Sequence, residues 1–324
     1  MKARNYNRAV KLGAKWLPQD LAGIIGQPHV GSVFYLDADN GSDSNNGRAY
    51  KSAFKTLAAA EDACTTNNYD VIIVAPSGTS ATAETATITW DKNHITVVGG
   101  AAPTMIGQRS RISFDTDEVD PCFTISGHGN RFLNMKWSTT QASNDVLVNM
   151  TGDRNYFNNL HFAGICNDTT GNDATARNIV LTGSHENTFD GCMIGEDTAA
   201  RSAANANLEL AGASKNTFND CMFLMNADNV GALHVKSTGT TGASGWNRFN
   251  NTTWYTKWTN AADKITAVFD ISAQTQTCDI LMTGSQMMVG ADDWEASASN
   301  HLWFEQKIDT SPGTYAGLGI NNVT

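Results

Sequence analysis

Between residues 130 and 254 one arrangement of apolar and polar positions recurs five times. The segments are Asn130-Arg-Phe132-Leu-Asn134, Asn155-Tyr-Phe157-Asn-Asn159, Asn187-Thr-Phe189-Asp-Gly191, Asn216-Thr-Phe218-Asn-Asp220 and Asn247-Arg-Phe249-Asn-Asn251, with successive Phe residues 25, 32, 29 and 31 positions apart. Five positions after the leading Asn stand Met135, Leu160, Cys192, Cys221 and Thr252; seven after it stand Trp137, Phe162, Ile194, Phe223 and Trp254. A strand alternates its faces with period two, so these last two positions share a face and the Phe belongs to a preceding strand. The change of parity between them requires a bend near the second Asn, where a short amide tolerates left-handed backbone. Coils stacked at ~4.8 Å place like residues over one another. An aromatic ladder inside and an amide ladder at the bend are expected, each buried Phe contributing ~1.5–3 kcal/mol.

A second short strand precedes each motif and ends near Gly: Cys122–Ile125, Val146–Val148, Ile179–Leu181, Leu208–Leu210 and Leu233–Val235. Each coil therefore reads strand, Gly turn, Asn-x-Phe strand, bend, strand, variable loop. Coils of 25–32 residues with three short strands fit an all-β, right-handed parallel β-helix. They are too irregular for a leucine-rich repeat and too short for a propeller blade. Upstream, Val33–Leu36, Val71–Val74, Ile95–Val98 and Ile112–Phe114 read as strands, and Ala53–Cys64 as a helix with Phe54, Leu57, Ala58 and Cys64 on one side. Such a helix would cover the open end of the solenoid. Downstream, Thr266–Ile271 and Asp279–Met282 continue the strands. The expected organisation is an N-terminal arm over 1–32, the β-helix over 33–290 with its capping helix at about 53–64, and a cap or subunit-contact segment over 291–324 containing Trp303 and Phe304.

Charge changes the picture at one end. Lys2, Arg4, Arg8, Lys11 and Lys15 precede the first acid, Asp20, whereas residues from 21 onward hold 17 basic and 31 acidic side chains. A basic leader on an acidic body reads as an electrostatic handle, and these five residues are the expected partner-docking arm. The acidic body disfavours nucleic acid. The chain contains no stretch near the ~20 apolar residues needed to span a bilayer, and its opening lacks the apolar core of a secretory signal. No membrane is expected as a partner, and no cofactor. Cys64, Cys122, Cys166, Cys192, Cys221 and Cys278 form no CxxC pair and read as reduced, buried small hydrophobes.

The run Phe34-Tyr-Leu-Asp-Ala-Asp-Asn-Gly-Ser-Asp-Ser-Asn-Asn-Gly47, followed by Ala53-Phe-Lys-Thr-Leu57 and Val71-Ile-Ile-Val-Ala-Pro76, resembles the opening of pectate-lyase-like β-helix proteins. The resemblance spans roughly residues 33–290 and speaks for the fold. It is weak for activity, because the superfamily includes lyases, hydrolases, phage tailspikes and inert virion parts. The leader resembles that of a bacteriophage structural protein, and this resemblance implies a homotrimer standing on a virion.

Candidate chemistry falls in four places. Ser126-Gly-His128-Gly-Asn130 is similar to a Gly-His-Gly of polygalacturonases, but it occupies the turn that elsewhere reads Gly152-Asp-Arg-Asn155, and a plain turn is the reading taken. Asp37, Asp39 and Asp43 offer oxygen ligands to calcium, yet position 48 is Arg48 where an EF-hand loop has Glu, and turn chemistry is favoured. Asp190 and Asp220, in successive coils, could do acid–base work if one pKa were raised, with Glu196 and Asp197 nearby, but solvated bend residues of the amide-rich ladder are the reading favoured. Trp246, Tyr255 and Trp258 suit either a sugar-stacking strip or a subunit interface.

The function expected is a non-enzymatic bacteriophage virion protein, a decoration or spike subunit held by its arm to capsid or tail. The alternatives are a tailspike-like polysaccharide depolymerase, hydrolase or lyase, and a host-glycan-binding adhesin.

Overall fold

The computed structural model describes residues 31–77, 82–238, 245–258, 260, 263–273, 278–297, 301–306 and 318–322. Lys2, Arg4, Arg8, Lys11 and Lys15 lie outside them. The chain winds into a right-handed parallel β-helix with three faces. The first face is an eight-stranded parallel sheet running from Ile88–Trp90 through Arg177–Thr182 and Ala206–Ala211 to Ala291–Glu295. The second begins with Val33–Leu36, Val71–Val74 and Thr96–Gly99, passes through the five Asn-x-Phe segments, and ends with Cys278–Thr283 and Leu302–Gln306. The third carries the strands after the bend, among them Met193–Arg201, Met222–Ala227, Thr253–Trp258 and Met287–Val289.

The expected register holds residue for residue. Phe132, Phe157, Phe189, Phe218 and Phe249 are in-register neighbours. Their rings stack at 5.2, 4.7, 4.6 and 4.7 Å with planes within 10° of parallel. Trp137, Phe162, Ile194, Phe223 and Trp254 line the inner side of the third face, completely or almost completely buried.

The amide ladder forms at a different Asn from the one expected. The backbone N–H of each leading Asn donates to the side-chain oxygen of the leading Asn in the next coil: Asn130 to Asn155 at 2.9 Å, Asn155 to Asn187 at 2.9 Å, Asn187 to Asn216 at 3.0 Å and Asn216 to Asn247 at 3.2 Å. The amide nitrogens of Asn130, Asn155, Asn216 and Asn247 donate back to turn carbonyls, such as Lys92 and Gly127 for the first two. All five are buried. The bend itself does fall at the fifth motif position, where Asn134, Asn159, Gly191, Asp220 and Asn251 have φ between +51° and +59°. There Gly191 interrupts the column, and the Asn134–Asn159 amide contact is local.

The capping helix is shorter than expected, Leu57–Asp62. Phe54 is withheld from it because it bridges to Leu36 and covers the edge of the first strand. Asp43 accepts the N–H groups of Lys55 and Thr56, and the Thr56 hydroxyl caps the helix by accepting from Ala59. Leu57 and Ala60 then plug the coil end. The loop over residues 42–54 also folds across the outside of the second face, where Tyr35, Ala53, Val71 and Ile73 make a small separate core. This explains the continuous apolar runs Val33–Leu36 and Val71–Val74: both their sides are covered. At the other end, Leu302–Gln306 extends the parallel ladder past residue 290, and Leu318–Asn322 closes its edge in antiparallel pairing.

Two measurements test this account. Asn187→Ala strands the buried N–H of Asn155, so a loss of ~1–3 kcal/mol is expected in denaturant unfolding. Glu61, on the buried side of the capping helix, faces Lys92 at 3.6 Å, and burial raises its pKa to about 7 from 4.5. The folded state then binds more protons than the unfolded between those values, so stability falls as pH rises through that window. Glu61→Gln is expected to lessen the fall in melting temperature between pH 5 and pH 8.

Candidate functional site

Asp37 and Asp43 are built into turns. Asp37 accepts the N–H groups of Asp39 and Asn40, and Asp43 accepts three bonds from Lys55 and Thr56. Among the described residues no group of three or more His, Cys, Asp or Glu side chains is placed to hold a metal ion. His128 uses Nδ1 to accept the N–H of Asp153 in the next coil at 2.9 Å, so the Gly-His-Gly is a rung-to-rung turn contact. Asp190 and Asp220 do not pair. Asp190 stands beside Asn158 and Asn219 on the outside of the second face, whereas Asp220 is the left-handed bend residue one position further on. The Asp190 carboxylate instead accepts the Tyr156 hydroxyl at 2.8 Å, and burial followed by that bond pushes the phenol up to about 12.

Glu196 borders a bulge that contains Asp197. Glu196 pairs with Met225 but Ala200 with the next residue, Asn226, so Asp197, Thr198 and Ala199 loop out. Such bulges re-aim side chains: Glu196 faces Lys136 at 3.9 Å, and the main-chain carbonyl of Asp197 accepts from Lys257. Beneath lies a buried polar column that the sequence reading missed. Asn178 donates to Asn207 at 2.8 Å, Asn207 meets His234 at 3.0 Å, and His234 meets the Thr256 hydroxyl at 3.0 Å. Arg201, fully buried, donates to Asn205 and Asn207. The only signal for the column was a polar residue preceding successive apolar strands, at Asn178, Asn207 and His234.

These groups are poor reagents. Burial lowers His234 to about 3 and, with Lys136 adding to the effect, His161 to about 4. Both imidazoles are therefore neutral near pH 7, and His161 has both nitrogens engaged, by Gly195 O and the Gly107 N–H. Burial, then Glu196, pushes the Cys166 thiol up, and burial does the same to Cys64 and Cys122. A thiol held protonated is no nucleophile.

The aromatic residues divide between faces. Trp246 lies on the outer side of the second face with Arg248 and Asn250, while Tyr255 is across the bend on the third and Trp258 ends that strand. They form no single strip. The outer side of the third face carries Met193, Met222, Thr253 and Met287 in one column and Gly195, Leu224, Tyr255 and Val289 in the next, with Met193 and Leu224 buried and Met287 exposed.

With this geometry in hand, solved structures give the relationship. The pectin methylesterase from Aspergillus niger matches 88% of this chain and 92% of its own, with TM-score 0.52 and 14% identity. The fold shared with it is the right-handed parallel β-helix. ORF18 of Geobacillus virus E2 matches over 99% of this chain and 67% of its own at TM-score 0.48 and 12% identity, and the pectate lyase Pel9A over 89% and 82% at 0.44 and 15%. No family model and no curated protein matches the chain. At such identities the likeness is one of fold.

In this β-helix the cysteines are free thiols, five of the six buried. Iodoacetamide at pH 8 is expected to leave the native chain largely unmodified and to alkylate all six after unfolding; rapid native labelling at Cys166 would show its thiol to be accessible and reactive.

Proposed function

We propose that this chain is a non-enzymatic structural subunit of a bacteriophage virion, a spike or decoration protein. In this reading the β-helix is the projecting body of a homotrimer, and the arm bearing Lys2, Arg4, Arg8, Lys11 and Lys15 docks on capsid or tail proteins. The observation that carries the non-enzymatic part is that Asp190 and Asp220 are not register partners: the Asp190 carboxylate, opposite Asn219, is taken up by the Tyr156 hydroxyl, and Asp220 is a left-handed bend residue. Glycoside hydrolysis needs two carboxyl groups facing one bond, one of them protonated. Two features support the structural part. The left-handed bends are one residue long and raise no walls around a cleft, and the continuous ladders of Phe and Asn make a stiff rod. The contrast between a basic leader and an acidic body supports the docking part.

Removing residues 1–30 is expected to leave the thermal melt of the body intact and to abolish incorporation into particles, read by immunoblot of purified virions. Incorporation at the full-length level would falsify the docking role. Incubation with capsule or lipopolysaccharide is expected to release no reducing or unsaturated sugar ends. Release that disappears in Asp190→Asn would replace this reading by the depolymerase one.

A further inference from the structure

Two of the six thiols stand one above the other in the middle of the solenoid. Cys192 and Cys221 immediately precede the third-face strands Met193–Arg201 and Met222–Ala227 of successive coils. Met193 is the register partner of Met222, and the Met222 N–H donates to the Cys192 carbonyl at 2.9 Å, so the two cysteines are opposite one another in the ladder. Stacked coils set such Cα atoms ~4.8 Å apart, within the roughly 4.4–6.8 Å that a disulfide spans. Both side chains are buried. Leu160 and Thr252 hold the same position in the coils on either side, so in this column the sulphurs have only each other.

The sulphur atoms are held lightly and point the same way. Cys192 Sγ donates to the Phe157 carbonyl at 3.5 Å and Cys221 Sγ to the Phe189 carbonyl at 3.5 Å, in each case a carbonyl of the preceding coil. The Cys221 thiol is thus aimed into the coil that holds Cys192. A thiol is a weak donor, so little is lost when either sulphur turns away. The bend that leads into Cys192 is also bare. The residue before this position is Asn134, Asn159, Asp220 or Asn251 in the other four coils, and Gly191 here. A Cβ at Gly191 would meet no atom within 4 Å, so the space beside this bend is open.

We propose that Cys192 and Cys221 are a modification site: a small peroxide entering at Gly191 joins them in a disulfide that clasps two coils together. Cys192, next to the bare bend, reacts first. Its sulphur gives two electrons to the peroxide O–O bond, which breaks to leave a sulfenic acid on Cys192 and one water carrying the thiol proton. The Cys221 sulphur then attacks the Cys192 sulphur, the S–O bond breaks, and the hydroxyl leaves with the Cys221 proton as a second water. Two thiols and one hydrogen peroxide become one disulfide and two waters. Burial, followed by the neighbouring Cys192 sulphur, pushes the Cys221 thiol up, so Cys221 stays a thiol until a sulfenic acid forms beside it. Coils of a solenoid hold only their neighbours, and a bond between two of them closes the chain from 192 to 221 into a loop that cannot part. The clasp belongs to the chain alone, so it stands or falls apart from the virion assignment.

The test treats the folded full-length chain with hydrogen peroxide, removes the excess with catalase, unfolds the chain in iodoacetamide and digests it with trypsin. Mass spectrometry is expected to find four alkylated cysteines in place of six. It should also find a species joining Asn178–Arg201 to Asn216–Lys236, which dithiothreitol separates. The oxidised chain is expected to melt several degrees above the reduced one, a gain absent in Cys221→Ala. Gly191→Asn restores the residue type of the other bends in a left-handed conformation that Asn tolerates, and is expected to slow linkage on the order of tenfold by closing the entry. Should Cys221→Ala fail to fold, the peptide map of the unaltered chain decides alone. Four results overturn the proposal: six alkylated cysteines after peroxide, sulfinic acid at Cys192 without linkage, linkage through another pair, or undiminished linkage in the Gly191 variant.

Discussion

Turning a parallel strand through a corner takes inward-pointing backbone N–H groups off the sheet ladder while leaving them away from water. A buried donor without an acceptor costs as much as several favourable contacts return. Here the cost is avoided by one side chain per coil, the leading Asn, whose oxygen accepts the stranded N–H of the coil before it. Because donor and acceptor belong to different coils, the bond also fixes the vertical register. A coil displaced by one residue would lose the Asn ladder and turn its Phe outward together.

The aromatic stack follows from that register. With the corners aligned, Phe157, Phe189 and Phe218 have no alternative but to lie over one another, at separations of 4.6–4.7 Å. The three faces share this interior and differ only outside. The second presents polar columns, whereas on the third Met193 and Leu224 are themselves buried and Met287 is exposed, so the outer faces differ in chemistry.

The ionisable groups inside obey the same economy of burial. His161, His234, Cys64, Cys122, Cys166 and Cys221 are held in their neutral forms by the cost of charge in a low-dielectric interior, and Arg201 donates to two amide oxygens. Their placement stabilises corners and bulges. This is why residues of catalytic type, scattered along the chain, come together as structure.

The sequence by itself determined the fold, the coil length, the Phe ladder and the position of the bend, because each depends on a local period that repeats five times. It also showed which candidate carboxylates had the composition of turns. Three things were decided only in three dimensions. Which Asn is buried depends on which corner faces inward, and both Asn positions look alike in one dimension. The polar column Asn178–Asn207–His234 spans coils through residues of differing type, so the repeat marks the positions as polar but not that they join through the interior. That Asp190 lies opposite Asn219 on a strand while Asp220 takes the left-handed bend rests on where the backbone turns. Periodicity specifies a ladder; only the path of the backbone between its rungs specifies which side chains meet.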